Sequence, residues 1–141
     1  MKAVVDASAA LKWQFEEEEA SGPASALLED FVEGNIELIT ATLFSYEILS
    51  AINMAVTRKR ISEAAGEKAI TYFISLGIEE QPSYDLIGIT FKIARKYNLS
   101  TYDCIYIALA EREGCDFYTG DKKLLHGTKT HLPWVKWIGD Y

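Results

Sequence analysis

Short apolar runs alternate with segments of helical periodicity along the whole of this chain. The runs Lys2–Asp6, Ile36–Ala41 and Phe117–Thr119 are typical of strands that are buried in a parallel sheet. Ile78–Glu80 and Val135–Ile138 are shorter strand candidates. Strands that alternate with helices in this way predict an α/β fold, with a central parallel sheet of four to five strands flanked by helices.

Helices are predicted where apolar residues recur three and four positions apart. The predicted helices are Ala9–Trp13, Ala24–Glu33, Thr42–Lys59, Glu63–Leu76, Asp85–Tyr97, Thr101–Glu113 and Lys122–Leu125. We expect Ser8 to cap the first of these helices and Gly22–Pro23 to break the chain before the second. The helix that follows Tyr97 should begin at a cap on Ser100 or Thr101 and end where Gly114 takes a left-handed conformation.

Composition limits the classes of protein to which this chain can belong. It has 141 residues, 49% of them hydrophobic, so we expect a single globular domain over residues 1–141. No apolar run approaches the ~20 residues of a membrane span, and no signal peptide precedes the first predicted strand. Cys104 and Cys115 fit neither a zinc site nor a disulfide framework, which favours the reducing cytoplasm. The formal net charge of −7 argues against a surface built for nonspecific nucleic-acid binding, although it permits a local basic patch.

Four acidic residues stand at the ends of predicted elements or among apolar neighbours. Asp6 ends the first strand, Asp121 follows the strand Phe117–Thr119, and Asp103 lies in the first turn of a helix. Glu47 interrupts an apolar helix, although taken alone it would usually be a solvated side chain. Strands of an α/β sheet present functional residues at their carboxyl ends, so these acids could converge there.

A converged cluster of carboxylates needs a compensating charge. Two carboxylates ~5 Å apart repel each other by about 3 kcal/mol at an effective dielectric constant of ~20. Such a cluster either takes up protons or binds a hard divalent cation, and Mg²⁺, with Mn²⁺ as a substitute, prefers carboxylate oxygens and water. Bound in this way, such ions favour hydrolysis of a phosphodiester. Ser8 and Thr119, each two residues from an acid, could orient metal-bound water, or could be a helix cap and a strand-end hydroxyl.

Four segments of the chain, in order, resemble the PIN-domain ribonucleases, and especially the VapC-type toxins of toxin–antitoxin pairs. These segments are Val4–Trp13, Tyr46–Ile48, Thr101–Glu111 and Tyr118–Asp121, so the resemblance covers nearly the whole chain. It implies the PIN fold and a Mg²⁺- or Mn²⁺-dependent endoribonuclease. The metal-binding and catalytic acids that it implies are Asp6, Glu47, Asp103 and Asp121. Ser50 and Cys104 depart from the family pattern, in which Asn and Ala are usual, but neither departure removes an acid.

The same resemblance implies partners for the chain. RNA is the implied substrate, and a cognate antitoxin is the implied inhibitor, which would cover the acids with a basic side chain. PIN relatives commonly pair, so we expect a homodimer. The helix faces that carry Leu49, Ile52 and Phe73 are the apolar surfaces that we expect to be available for pairing.

Other polar features are less specific. The run Glu16–Glu19 is more typical of a solvated helix end than of a metal site, because adjacent helical residues point in different directions. The basic residues of Arg58–Arg60 and Lys122–Lys123 could contact RNA phosphates or could simply be solvated. His126 and His131 lie in a polar region, which favours surface positions over a general acid–base pair.

Two alternatives to the ribonuclease stay open on the sequence. The first is a non-catalytic PIN-like module that binds RNA or protein. The second is a phosphoryl-transfer protein of another family, such as a receiver domain with one phosphoacceptor aspartate. The second alternative does not explain Glu47 or Asp103.

Overall fold

Five parallel strands form the centre of the computed structural model, which describes residues 1–141. The strands are β1 (Lys2–Val5), β2 (Glu37–Ala41), β3 (Glu79–Gln81), β4 (Asp116–Thr119) and β5 (Val135–Trp137). Their order across the sheet is β3-β2-β1-β4-β5, and every neighbouring pair is parallel. The predicted α/β fold with a parallel sheet is therefore confirmed.

Helices supply the crossover connections that parallel strands require. They are α1 (Ala7–Ala10), α2 (Ser21–Val32), α3 (Phe44–Thr57), α4 (Glu63–Leu76), α5 (Ile87–Tyr97), α6 (Thr101–Glu113) and α7 (Lys122–Thr128). Short 3₁₀ segments add Leu11–Trp13, Tyr84–Leu86 and Ile138–Asp140. The chain builds one half of the sheet outward from β1 through β2 to β3, and then returns to the other side of β1 to add β4 and β5. The order of the strands thus reverses between β1 and β4, which is where open α/β sheets bind ligands.

Alternate side chains of the strands enter two separate cores, one on each face of the sheet. Val4 and Phe117 pack against α5 and α6, whereas Ala3, Val5 and Leu38 pack against α1 to α4. Helix α6 is buried continuously from Cys104 to Ala110, because it lies between the sheet and α5. A helix that is buried on all sides is apolar on all sides, so a polar side chain within α6 is conspicuous.

The structure corrects several predictions about helix starts. The chain does not break at Gly22–Pro23, since α2 already begins at Ser21 and holds both residues in its first turn. A proline there costs no hydrogen bond, because first-turn amides have no intrahelical acceptor. Ser8 does not cap α1 either: the Asp6 side chain accepts from the Ala9 amide, and Ser8 lies inside the helix.

Two further predictions placed residues in the wrong environment. The run Glu16–Glu19 lies in successive turns and is not the end of a helix. Ile52 and Phe73 are only 1% and 8% exposed, so they belong to the core, whereas Leu49 is 49% exposed. None of the helices combines the length and the apolar character that crossing a membrane requires.

Candidate active site

The four predicted acids line one cleft beside the carboxyl ends of β1 and β4. This acidic cleft has a volume of about 180 Å³ and is lined by Asp6, Ala7, Ser8, Leu11, Glu47, Asp103, Tyr106 and Asp121. Asp6 follows β1, and Asp121 follows β4 by two residues. Glu47 and Asp103 enter from the first turns of α3 and α6, where the helix dipole favours an anion.

Asp6 is the most deeply buried of these acids, with 5% of its surface exposed. Its Oδ1 accepts hydrogen bonds from the Ser8 hydroxyl at 2.7 Å and the Ala9 amide at 2.9 Å. Its Oδ2 accepts one from the Thr119 hydroxyl at 2.6 Å. The pKa of Asp6 is raised to about 6. Burial is the main cause and the charge of Asp103 adds to it, whereas the three hydrogen bonds act in the opposite direction. The hydrogen bonds therefore offset only part of the cost of a buried negative charge.

The hydroxyls of Ser8 and Thr119 connect the two loops that carry the acids. Ser8 Oγ donates to Asp6 and accepts from the Gly120 amide at 2.8 Å, and Thr119 Oγ1 donates to Asp6 and accepts from the Asp121 amide at 3.1 Å. A hydroxyl has one proton to donate, so both protons are committed to the Asp6 carboxylate. The two residues thus join the end of β1 to the end of β4 at the position of the acids.

A buried tyrosine holds Glu47. Tyr106 is 1% exposed, its ring stacks on Phe117 with centroids 5.7 Å apart, and its hydroxyl donates to Glu47 Oε2 at 2.5 Å. The pKa of Glu47 is raised to about 6. Burial is the main cause, the hydrogen bond from Tyr106 acts in the opposite direction, and the charges of Asp6 and Asp103 raise the pKa further. Tyr106 is not among the site residues predicted from the sequence. The signal was present, because a tyrosine in an apolar helix needs a partner for its hydroxyl.

Asp103 and Asp121 differ in how firmly the protein holds them. Asp121 Oδ1 caps α7 by accepting from the amides of Lys123 at 2.8 Å and Leu124 at 3.2 Å. Asp103 is partly buried and accepts no hydrogen bond, and its pKa is raised by burial and then by the charge of Asp121. Asp103 is therefore the acid that can reorient most easily.

The chemistry of the cleft fits a hard cation, although its geometry is not preassembled. Glu47 Oε1, Asp121 Oδ2 and both oxygens of Asp103 accept no hydrogen bond from the protein. Carboxylate oxygens of this kind are the ligands that Mg²⁺ and Mn²⁺ prefer. However, no group of three acidic, histidine or cysteine side chains stands close enough together to hold an ion in the present arrangement. The hydrogen bonds to one oxygen each of Glu47 and Asp121 restrict how these side chains can reorient.

The two histidines do not contribute to the cleft. Both His126 and His131 are exposed, and the ring of His131 stacks on Tyr97 with centroids 5.8 Å apart. Their predicted surface positions are confirmed. Acid–base chemistry in the cleft would therefore have to come from its carboxylates or from water.

Comparisons with known proteins bear on the family and the fold of this chain. A family model described as "PIN domain" matches residues 3–129. The chain is similar to ribonuclease VapC9 of Mycobacterium tuberculosis, with 31% identity over 92% of this chain and 94% of the relative. It is also similar to ribonuclease VapC12 of the same organism, with 28% identity over 94% of this chain and 98% of the relative. The crystal structure of PAE2754 from Pyrobaculum aerophilum has a similar fold, with a TM-score of 0.71 and 22% identity over 92% of this chain and 81% of that chain.

Proposed function

The chain belongs to the PIN-domain family, and from this premise we propose that it is a metal-dependent endoribonuclease, the toxin of a toxin–antitoxin pair. The relatives named VapC ribonucleases support this proposal, since they match the chain over nearly its whole length. The observation that carries the proposal is the single cleft lined by four acids, three of which have a raised pKa. Raised carboxylate pKa values in a cleft indicate a site built for chemistry or for a counter-ion.

The proposed ligands for Mg²⁺ or Mn²⁺ are Asp6, Glu47, Asp103 and Asp121. When bound there, the cation would supply positive charge that polarises a phosphoryl oxygen and lowers the pKa of a water molecule. Ser8 and Thr119 hold Asp6 and the backbone beside Asp121, so they set the separation between the two strand ends. Tyr106 holds one oxygen of Glu47 and leaves the other free.

Cleavage of RNA with Mg²⁺, with Mn²⁺ and with EDTA tests this function. We expect Asp6→Asn and Asp103→Asn each to abolish metal-dependent cleavage, because each change alters both the charge and the geometry of the proposed metal site. Asp140→Asn is the matched control, since Asp140 is exposed and lies outside the cleft. Wild-type turnover by folded Asp6→Asn or Asp103→Asn protein would contradict the assignment.

One observation favours a second candidate, a non-catalytic PIN-like module that binds RNA or protein. The acids are not preassembled around a cation position. Such a module would bind RNA in EDTA and leave it intact when metal is added. The receiver-domain alternative is set aside, because the chain belongs to another family.

The proposed partners are a cognate antitoxin, which would cover the acidic cleft with a basic side chain, and a second copy of the chain. The two cysteines are free, in keeping with the proposed action in the cytoplasm. Exposed apolar residues at Tyr84, Ile87 and Phe91, which are 88%, 57% and 61% exposed, provide area for a homodimer. Light scattering should then report a dimer, and Phe91→Lys should give a monomer. A wild-type monomer at micromolar concentration would refute the pairing.

A further inference from the structure

A second depression, which we call the cationic groove, adjoins the acidic cleft. It has a volume of about 370 Å³ and shares Ser8 and Leu11 with the cleft. Its positively charged lining consists of Lys12, Arg58 and Arg60. Arg58 is exposed and forms no ion pair. In a chain with a net charge of −7, such a concentration of cations beside an acidic cleft is unexpected.

Lys12 is built into this groove. Its side chain is only 7% exposed, and Nζ lies 3.6 Å from Glu18 Oε2 and 5.7 Å from the ring centroid of Trp137. A charge-assisted hydrogen bond is ~2.7–2.9 Å long, so this contact leaves the ammonium without a close acceptor. Gly120 makes room for the lysine, because a Cβ there would lie 2.8 Å from Lys12 Cε and 2.5 Å from the Ser8 carbonyl oxygen.

Three consecutive glutamates form ion pairs with Lys12, Arg60 and Lys122, at and beside the groove. We call Glu17–Glu19 the acidic run. Glu17 and Glu18 pair with Arg60, and Glu18 also faces Lys12. Glu19 pairs with Lys122, whose Nζ lies 5.1 Å from the same Trp137 ring that Lys12 approaches. The turns in this segment allow neighbouring side chains to reach one side of the molecule, which a helix would not.

We propose that the cationic groove binds RNA phosphates that flank the one at the acidic cleft, and that the acidic run, of which Glu18 lines the groove, shields the cations until RNA displaces it. This inference rests on the proposed function. Glu17 and Glu19 are 65% and 68% exposed, and exposed ion pairs are weak and screened by salt, so a chain of phosphates can replace their carboxylates. Unpaired Arg58 offers the first contact to the incoming backbone.

The position of the groove favours RNA over an acidic peptide as its occupant. The groove and the cleft share part of their lining, so a strand with one phosphate at the acids continues directly over the cations. Guanidinium and ammonium groups that line a groove can follow a nucleic-acid backbone without reading its sequence.

The test measures binding of a fluorescein-labelled single-stranded RNA by anisotropy, in EDTA to prevent cleavage and at several NaCl concentrations. The triple variant Glu17→Gln, Glu18→Gln, Glu19→Gln should bind about tenfold more tightly than wild type. The matched control changes Glu29, Glu67 and Glu111 to Gln, which removes the same charge from exposed residues without an ion pair. Equal tightening in both triple variants, or none in the first, would overturn the proposal.

Variants of the cations provide a second measurement. Arg58 and Arg60 are exposed, so both can be replaced without disturbing the core. Arg58→Gln and Arg60→Gln should each weaken RNA binding, and the plot of the logarithm of the association constant against the logarithm of the NaCl concentration should become less steep by about 0.7. Unchanged slopes in both variants would exclude phosphate contacts. Displacement of the RNA by polyglutamate as readily as by unlabelled RNA would assign the groove to an acidic peptide instead.

Cleavage by wild-type protein with Mn²⁺ separates this inference from the function on which it rests. If wild type cleaves RNA but the triple variant binds RNA no more tightly, the groove proposal fails and the ribonuclease stands. If wild type does not cleave RNA and the triple variant still binds it more tightly than its control, the ribonuclease fails and the groove stands.

Discussion

Tyr106→Phe isolates the hydrogen bond that holds Glu47 in the acidic cleft. The substitution keeps the ring that stacks on Phe117 and removes only the hydroxyl that donates to Glu47 Oε2 at 2.5 Å. A hydrogen bond to a charged group contributes about 1.5–3 kcal/mol, and one between neutral groups about 0.5–1.5 kcal/mol. We therefore expect the metal-free variant to lose about 2 kcal/mol of unfolding free energy at pH 8, or roughly 6–10 °C in Tm.

The loss should depend on pH in a window set by Glu47. The folded pKa of Glu47 is raised from 4.5 to about 6, so the carboxyl favours folding when protonated and loses this contribution as the pH rises through about 6. Removing the Tyr106 hydrogen bond raises that pKa further, because the bond lowers it in wild type. The difference in unfolding free energy between wild type and Tyr106→Phe should consequently be small at pH 5 and grow from pH 6 to pH 8.

Tyr141→Phe is the matched control for this experiment. The Tyr141 hydroxyl donates to Asp30 Oδ2 at 2.5 Å, but this carboxyl lies outside the cleft and its pKa is lowered by the bond. A lowered carboxyl pKa gives stability that is present above the unfolded pKa and lost as the pH falls through the folded pKa. The loss of unfolding free energy that Tyr141→Phe causes should therefore be constant between pH 5 and 8. Urea unfolding in EDTA measures both variants, and a pH-independent loss in Tyr106→Phe would refute the reasoning.

Two other substitutions test the cleft from different directions. Asp121→Asn should raise the Tm of the metal-free protein, because asparagine caps α7 as well as aspartate does and Asp103 loses a repelling neighbour. At a Mn²⁺ concentration ten times the dissociation constant, the unfolding free energy of wild type should rise by about 1.4 kcal/mol, which is roughly 3–6 °C in Tm. The variant should gain much less, and equal gains in a thermal melt would place the metal elsewhere. Gly120→Ala should cost about 1–3 kcal/mol in urea unfolding, because the new Cβ meets the Ser8 carbonyl oxygen at 2.5 Å. Gly88→Ala, with nothing within 4 Å, should be neutral or stabilising, and equal losses in the two variants would contradict the clash.

Local signals allowed the strands and most helix ends to be predicted from the sequence. Ser100 caps α6 through the Tyr102 amide, and Gly114 and Asn98 end their helices with φ of 64° and 53°. These features depend on a few adjacent residues, so a single sequence contains the necessary information. The acids Asp6 and Asp121 could be anticipated for the same reason, because each lies within two residues of the end of a predicted strand.

Apart from the helix starts at Ser8 and Gly22–Pro23, what the sequence did not reveal depended on contacts between distant segments. Burial of Ile52 and Phe73 follows from packing of α3 and α4 in one core, which periodicity alone does not reveal. Tyr106 and Glu47 are 59 residues apart, and their hydrogen bond exists only after α6 has crossed the sheet. The run Glu16–Glu19 resembles a solvated helix end in the sequence, which does not show that Arg60 pairs with Glu17 and Glu18, 43 and 42 positions away.

The pairing of β1 with β4 also determines when the site can exist during synthesis. The hydrogen bond from Thr119 to Asp6 joins residues 113 apart, and the acids beside it cannot converge before β4 docks next to β1. A ribosome adds about 5–20 residues per second and contacts this distant in sequence form slowly, so most of the chain emerges before the cleft is complete. A nascent chain shorter than about residue 121 therefore lacks the acidic cleft, and any chemistry of the cleft begins only after β4 has docked beside β1.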